Sequence, residues 1–311
     1  MNWVKDFYWK SIIFQSTLIL FGVILKANKA FEASHIVIGR WMIGLLIILM
    51  SCSARAQSTI AELFAIRGEN EKEIFLTYKE KGLFGFSELK LETIIYEPTT
   101  SNKRLVIWSH GSMTRKEQMK VTHRMYPIAK QFNDAGYTFV IWMRAGRGKS
   151  EGTTEEFSGK DCDVSYTNWS LERNRDQLKQ VIAQLKAMYG YETIYLIGHS
   201  RGGMISANYA SNNPNEIKAS INLAGAYNQF CDPNNGNYSW KIVKESAQFK
   251  NQRWIYYKQD TFFGDAYKTF VKDTAEQNRL RYFEVAGNHA TPLLKPDWVP
   301  GAIKWFEQLS R

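Results

Sequence analysis

From Arg104 onward, short apolar runs alternate with longer segments whose apolar residues recur at helical spacing. The runs that read as strands are Leu105–Trp108, Thr138–Met143, Ile194–Ile197, Ser220–Leu223, Trp254–Tyr257 and Tyr282–Val285. Helical patterns lie between them, at about 118–134, 168–189, 201–211, 264–278 and 296–309. Such alternation predicts an α/β fold: a mainly parallel central sheet with helices on both faces. Ahead of it, Ile74–Tyr78 and Leu89–Tyr96 carry β character and are joined by Lys-Gly-Leu-Phe-Gly-Phe, which predicts an antiparallel N-terminal hairpin. No repeat, low-complexity tract or linker divides Gln57–Arg311, so residues 57–311 read as one domain.

The first 56 residues have a different pattern. Trp41–Met50 is a ten-residue apolar run, preceded by Arg40 and followed by Ala54-Arg55-Ala56. A basic flank, a short apolar core and an A-x-A site describe a secretory leader, and the run is short of the ~20 apolar residues that span a bilayer. An earlier apolar stretch, Ile12–Leu25, adds the alternative of a membrane-associated segment. Leu49-Met50-Ser51-Cys52 resembles a lipoprotein box, which adds lipid attachment at Cys52. All three place the main domain outside the cytoplasm, in the periplasm or beyond the cell. There a Cys162–Cys231 disulfide is chemically feasible.

Composition narrows the classes. A chain of 311 residues with 44% hydrophobic content holds an ordinary globular core. The net charge of +10 is spread out: +4 falls before Gln57 and +6 over the rest, without a basic run or nucleic-acid motif. Nucleic acid is therefore not an expected partner. No C-x-x-C or Cys/His spacing suggests a metal site.

The chemistry gathers around Ile194–Gly203, IYLIGHSRGG. A buried strand, a Gly-x-Ser-x-Gly turn and a following helix are the context of a nucleophile elbow, which exposes Ser200 at the carboxyl end of the sheet. The strand Leu105–Trp108 ends in Ser109-His110-Gly111-Ser112-Met113. Backbone N–H groups of Ser112 and Arg201 are the expected oxyanion donors, with Met113 as the alternative to Ser112. Of the five histidines, His35 lies in the leader, His110 in the oxyanion loop and His123 within a predicted helix. His199 adjoins Ser200, so its side chain should diverge from the serine's. His289, on the loop after the last strand, is left as the base. Asp260, at the exit of Trp254–Tyr257, is the expected acid; Asp265 is the alternative, although it also suits the first turn of a helix. Arg144–Gly152 mimics a phosphate loop but lacks the Gly-x4-Gly-Lys-Ser/Thr spacing, so it reads as a structural turn.

With serine, acid and histidine in this order, the chain resembles the α/β-hydrolase superfamily over about Arg104–Arg311. Gly-His-Ser-Arg-Gly-Gly and Tyr-Lys-Gln-Asp-Thr-Phe-Phe-Gly look most like bacterial dienelactone-hydrolase-related proteins, with Ser200 where those enzymes carry cysteine. The resemblance implies a serine hydrolase of small-molecule esters that needs no cofactor. Only about thirty residues separate Ser220–Leu223 from Trp254, so a cap should be small or absent. Tyr227, Phe230, Tyr238, Trp240, Phe262 and Phe263 could line the site, but aromatics more often serve packing. Two alternatives remain at this point: a serine peptidase or amidase on the same fold, and a catalytically silent binding protein of the envelope.

Overall fold

The computed structural model describes residues 62–82, 85–112, 117–156, 162–227 and 238–310. The chain divides into Met1–Thr59 and Ile60–Arg311, and every described residue belongs to the second unit. The leader read over residues 1–56, the lipid-attachment reading at Cys52, Met113, Phe230 and Cys231 lie outside the described residues. Among the described residues, no helix is long and apolar enough to cross a membrane.

Eight strands form one sheet in the order β1-β2-β4-β3-β5-β6-β7-β8. They are β1 (Glu71–Gly82), β2 (Gly85–Tyr96), β3 (Arg104–Ser109), β4 (Thr138–Trp142), β5 (Thr193–His199), β6 (Ala219–Leu223), β7 (Gln252–Tyr257) and β8 (Arg281–Val285). Strands β1 and β2 pair antiparallel, β2 joins β4 antiparallel, and β3 to β8 run parallel. The expected class and hairpin are therefore present, with hairpin strands longer than their apolar runs. Polar residues such as Lys79, Glu80 and Glu88 belong to these strands because the outer half of the hairpin faces solvent.

The helices are α1 (Tyr126–Asp134), α2 (Val164–Tyr189), α3 (Arg201–Asn212), α4 (Tyr238–Ser246), α5 (Asp265–Gln277), the single turn α6 (Thr291–Leu294) and α7 (Val299–Gln308). Each central strand feeds two cores, which is why it reads as a continuous apolar run. Leu105, Ile107, Val140, Leu196 and Trp254 pack on one face with residues of α2 to α5. Val106, Trp108, Phe139, Ile141, Tyr195 and Ile197 pack on the other with α1 and α7.

The pattern at 118–134 is not one helix. Glu117–Lys120 forms a short 3-10 turn, and α1 begins only at Tyr126. Pro127 is the reason: inside a longer helix it would lack the N–H that bonds four residues back and would clash there, whereas a first turn accommodates it. His123 consequently sits in the non-helical stretch between the two. Helix α2 starts four residues earlier than its apolar period, because Asp163 accepts the Tyr166 N–H at 2.7 Å as a cap. It ends at Gly190, whose φ of 65° is left-handed.

The register aligns the carboxyl ends of the parallel strands. Ser109 lies opposite both Trp142 and Gly198, His199 opposite Leu223, and Tyr257 opposite Val285. The loops that leave these positions carry His110 to Ser112, Arg144, Ser200, Asp260 and His289 to one edge of the sheet.

Candidate active site

The turn from β5 into α3 places Ser200 at φ 55° and ψ −128°, a conformation costly for any residue with a side chain. The surroundings enforce it. Ser200 N–H donates to Leu223 O at 2.9 Å, pinning the turn to the next strand. A Cβ on Gly198 would fall 2.1 Å from Gly202 O, and one on Gly202 would fall 2.0 Å from Ser109 O. Only glycine allows the strand, the elbow and the β3 exit to pack this closely.

Asp260 is buried beyond the end of β7. Its Oδ1 accepts the Phe262 N–H at 2.9 Å, and its Oδ2 accepts from His289 Nδ1 at 2.8 Å. The Asp265 side chain is 96% exposed at the start of α5 and pairs with Lys268 at 3.1 Å. The structure thus joins Asp260, not Asp265, to His289. The His289 ring lies flat on Phe262 (centroids 4.6 Å apart, planes at 14°) and meets the edge of Phe263 at 5.1 Å. These two aromatics set the plane of the imidazole. Trp240, by contrast, stacks on Phe270 and serves packing.

His199, expected from the sequence only to point away from the Ser200 side chain, reaches the His289 loop instead. Its Nε2 meets the His289 carbonyl oxygen at 2.7 Å, and the two rings lie 4.7 Å apart. Burial, reinforced by the neighbouring His289, holds its pKa well below the ordinary value, so the ring is neutral and Nε2–H donates. The residue before Ser200 therefore anchors the backbone of His289. Nothing in the sequence marks this, because an i, i+1 neighbour normally points away.

Gly111 runs directly against the elbow: a Cβ there would come within 3.0 Å of Ser200 Cβ. This brings the loop after β3, with Ser112, beside the first turn of α3, where Arg201 sits. Arg201 Nε donates to Ser112 Oγ at 3.2 Å, and its guanidinium lies 4.3 Å over the Tyr227 ring. His110 is buried, donates through Nδ1 to Gly111 O at 2.8 Å, and accepts the Arg144 N–H at Nε2. Burial first, then Arg144 and His123, keep it neutral. The His123 ring lies between Phe64, on which it stacks, and His110, to which it is tilted by 50°.

Beneath this loop lies a buried ionic cluster that sequence reasoning missed. Arg144, Arg147, Glu155 and Glu156 are almost fully buried, and Arg173 and Arg201 nearly so. Glu156 pairs with both Arg144 and Arg147, and Glu155 lies 3.6 Å from Arg144, 3.7 Å from Arg173 and 3.9 Å from Arg201. The glycine-rich turn is structural, as its spacing suggests. Its arginines, which look like solvated loop charges, face inward because Gly146 and Gly148 adopt left-handed φ values of 74° and 54°. Cys162 is disulfide-bonded, to a partner outside the described residues. No group of three or more metal-ligating side chains occurs among the described residues.

Residues 100–258 match the Hydrolase_4 family, described as serine aminopeptidase, S33. A triacylglycerol lipase of Vibrio cholerae is 29% identical over 122 residues, a match that spans 39% of this chain and 39% of that protein. Among solved structures, an esterase from Pyrococcus furiosus is similar with a TM-score of 0.54 at 14% identity, covering 76% of this chain and 92% of the other. A proline iminopeptidase of Mycobacterium smegmatis gives 0.52 at 13% identity, covering 76% and 98%. At such identities the likeness is one of fold, the α/β-hydrolase fold.

Proposed function

The chain belongs to the Hydrolase_4 family of serine aminopeptidase S33 relatives within the α/β-hydrolases, and from that premise we propose that it is a serine esterase acting through an acyl-enzyme. The observation that carries this reading is the buried Asp260 carboxylate on His289 Nδ1, with the His289 backbone tied to the residue before Ser200. With Nδ1–H committed to Asp260, Nε2 of His289 is the free base. Ser200 Oγ attacks the ester carbonyl carbon and passes its proton to that nitrogen. The C–O bond to the alcohol then breaks as His289 returns the proton to the leaving oxygen. Water repeats the sequence to release the acid. The N–H groups of Ser112 and Arg201 hold the oxyanion throughout.

The family description supports a second reading, an aminopeptidase. Such an enzyme needs a carboxylate to receive the substrate's ammonium group. Glu155 and Glu156, which approach Arg201, are buried and already neutralised by arginines. These two acids therefore do not offer that carboxylate, and the ester reading is in keeping with the Vibrio lipase and Pyrococcus esterase. The likeness of Gly198–Gly203 and Tyr257–Gly264 to dienelactone-hydrolase-related proteins belongs to the same proposal and does not extend to their lactone substrate. Export also belongs to it, by a cleaved, lipid-attached or retained leader, and the disulfide at Cys162 supports an oxidising compartment.

The deciding experiment is turnover of short acyl esters and aminoacyl amides by the purified chain, beside Ser200→Ala and His289→Ala. Ester hydrolysis lost by a thousandfold or more in both variants is expected. Losses under tenfold, or faster amide than ester turnover, would overturn the nucleophile or the substrate class respectively.

A further inference from the structure

In a trans peptide the carbonyl and the following N–H point in opposite directions. Whatever holds the carbonyls of His110 and Gly111 therefore fixes where the N–H groups of Gly111 and Ser112 point. Both carbonyls are held from inside the protein. Arg144 Nη1 donates to His110 O at 2.5 Å. Gly111 O accepts from His110 Nδ1 at 2.8 Å and from Arg144 Nη2 at 3.4 Å. Arg144 is in turn held by Glu156 Oε1.

The same carboxylate reaches the elbow from the other side. Glu156 Oε1 lies 3.8 Å from Arg201 Nε, the group that donates to Ser112 Oγ, so the acid reaches Ser112 through the Arg201 guanidinium. The second oxygen of Glu156 is taken by Arg147. Ser112 and Arg201, the two residues whose backbone N–H groups face the oxyanion in the proposed mechanism, are thus tied to each other and to one buried acid.

We infer that Glu156 is a positioning residue of the oxyanion site, setting the direction and separation of the Ser112 and Arg201 backbone donors through Arg144 on one side and the Ser112 and Arg201 side chains on the other. This rests on Ser200 being the nucleophile. The expense of the arrangement fits the role. Burying several charges together is a poor way to stabilise a fold, because desolvation offsets most of the attraction. Here it lies directly under the loop whose peptide planes matter. The tether also holds its charge. Burial pushes the Glu156 carboxyl up, but Arg147, Arg144, Arg201 and the Ser112 hydroxyl together bring it down to about 2.

The test is Glu156→Gln and Ser112→Ala in the full chain, assayed on a p-nitrophenyl oxoester and its thionoester analogue. Sulfur is a weak hydrogen-bond acceptor, so the thionoester draws little from oxyanion donors. In Glu156→Gln we expect the oxoester kcat to fall by ~10-fold or more at nearly unchanged KM, with the thionoester rate changing much less. Ser112→Ala keeps its backbone N–H and should move the oxoester/thionoester ratio in the same direction by a smaller factor. Parallel loss of both rates in the two variants would mean a merely structural role and overturn the inference. So would an unchanged ratio in Ser112→Ala, which decides the matter if Glu156→Gln fails to fold. Full ester turnover in Ser200→Ala would instead remove the nucleophile reading beneath it.

Discussion

Asp260 and His289 lie 29 positions apart in the chain, yet the carboxylate accepts the imidazole Nδ1–H at 2.8 Å from a site only 1% exposed. In the proposed mechanism a carboxylate this deep orients the imidazole and stabilises the imidazolium that forms during proton transfer. Asparagine at 260 would present the wrong hydrogen-bonding partner and favour the other tautomer. Asp260→Asn should therefore lower kcat by ~10³–10⁴-fold with the fold intact, whereas Asp265→Asn, at an exposed helix terminus, should stay within about twofold. Steady-state kinetics of the two variants on one ester checks this; equal losses would count against the assignment.

The fold was legible because strands β3 to β6 bury both faces and so appear as short apolar runs bracketed by helical periods, while the exposed edge strand β8 shows only its β character. At 118–134 the amphipathic period runs through Pro127, whose missing N–H outweighs the pattern and starts the helix only at Tyr126. In the candidate site, Ser200, Asp260 and His289 could be singled out by their order along the chain and by strand exits, and the structure pairs the last two. His199 could not, since its bond to His289 O depends on how two distant loops meet. Phe262 and Phe263 read from the sequence as packing residues, and they do pack, but against the imidazole itself. Glu155, Glu156 and the arginines of the 144–152 turn escaped notice because charge in a loop reads by default as solvated surface. Only the left-handed glycines reveal that the turn folds inward.

His199→Phe tests the anchor on the His289 loop. Phenylalanine keeps a flat ring in the pocket but removes the Nε2–H that donates to His289 O. The imidazole should lose its alignment more than the substrate loses its seat. We expect kcat to fall by ~10-fold or more with KM changed less than about threefold. Because His199 is neutral over the working range, the acidic limb of the pH–rate profile should not move. A displaced limb would show that His199 titrates in catalysis.

Gly202→Ala tests the elbow's packing. The added Cβ would meet backbone atoms of Ser109 and His110 at 2.0 to 2.5 Å, none of which belongs to a flexible side chain. Relief requires moving α3 away from β3, through the core that it shares with α2, α4 and α5. The variant should lose more than about 3 kcal/mol of stability or fail to accumulate as soluble protein. Gly264→Ala, where nothing lies within 4 Å of the new atom, is the control and should melt close to the parent temperature.

Stability should fall with acid well before the carboxylates titrate. His110, His123 and His199 are buried, and burial holds all three below the ordinary histidine value of 6.5; for His123, burial with Arg147 and Arg144 brings it to about 3. The unfolded chain, with histidines near 6.5, binds protons that the native state refuses. Above that pH both states are neutral and the three groups contribute nothing to the slope. Between about 6.5 and 3 the unfolded state is favoured by each proton it takes up, at most about 1.4 kcal/mol per pH unit for each histidine. Glu156, lowered from 4.5 to about 2 against the pull of burial, adds its own loss only below 4.5. Urea unfolding at pH 8, 7, 6 and 5 should show a plateau followed by a steep decline through the last two points. In His123→Phe, which keeps a ring between Phe64 and His110, the decline should be shallower by about one proton's worth. A flat unfolding free energy from pH 7 to 5 would mean that these imidazoles already carry their protons inside the fold, and that the cluster beneath the oxyanion loop is more hydrated than its burial indicates.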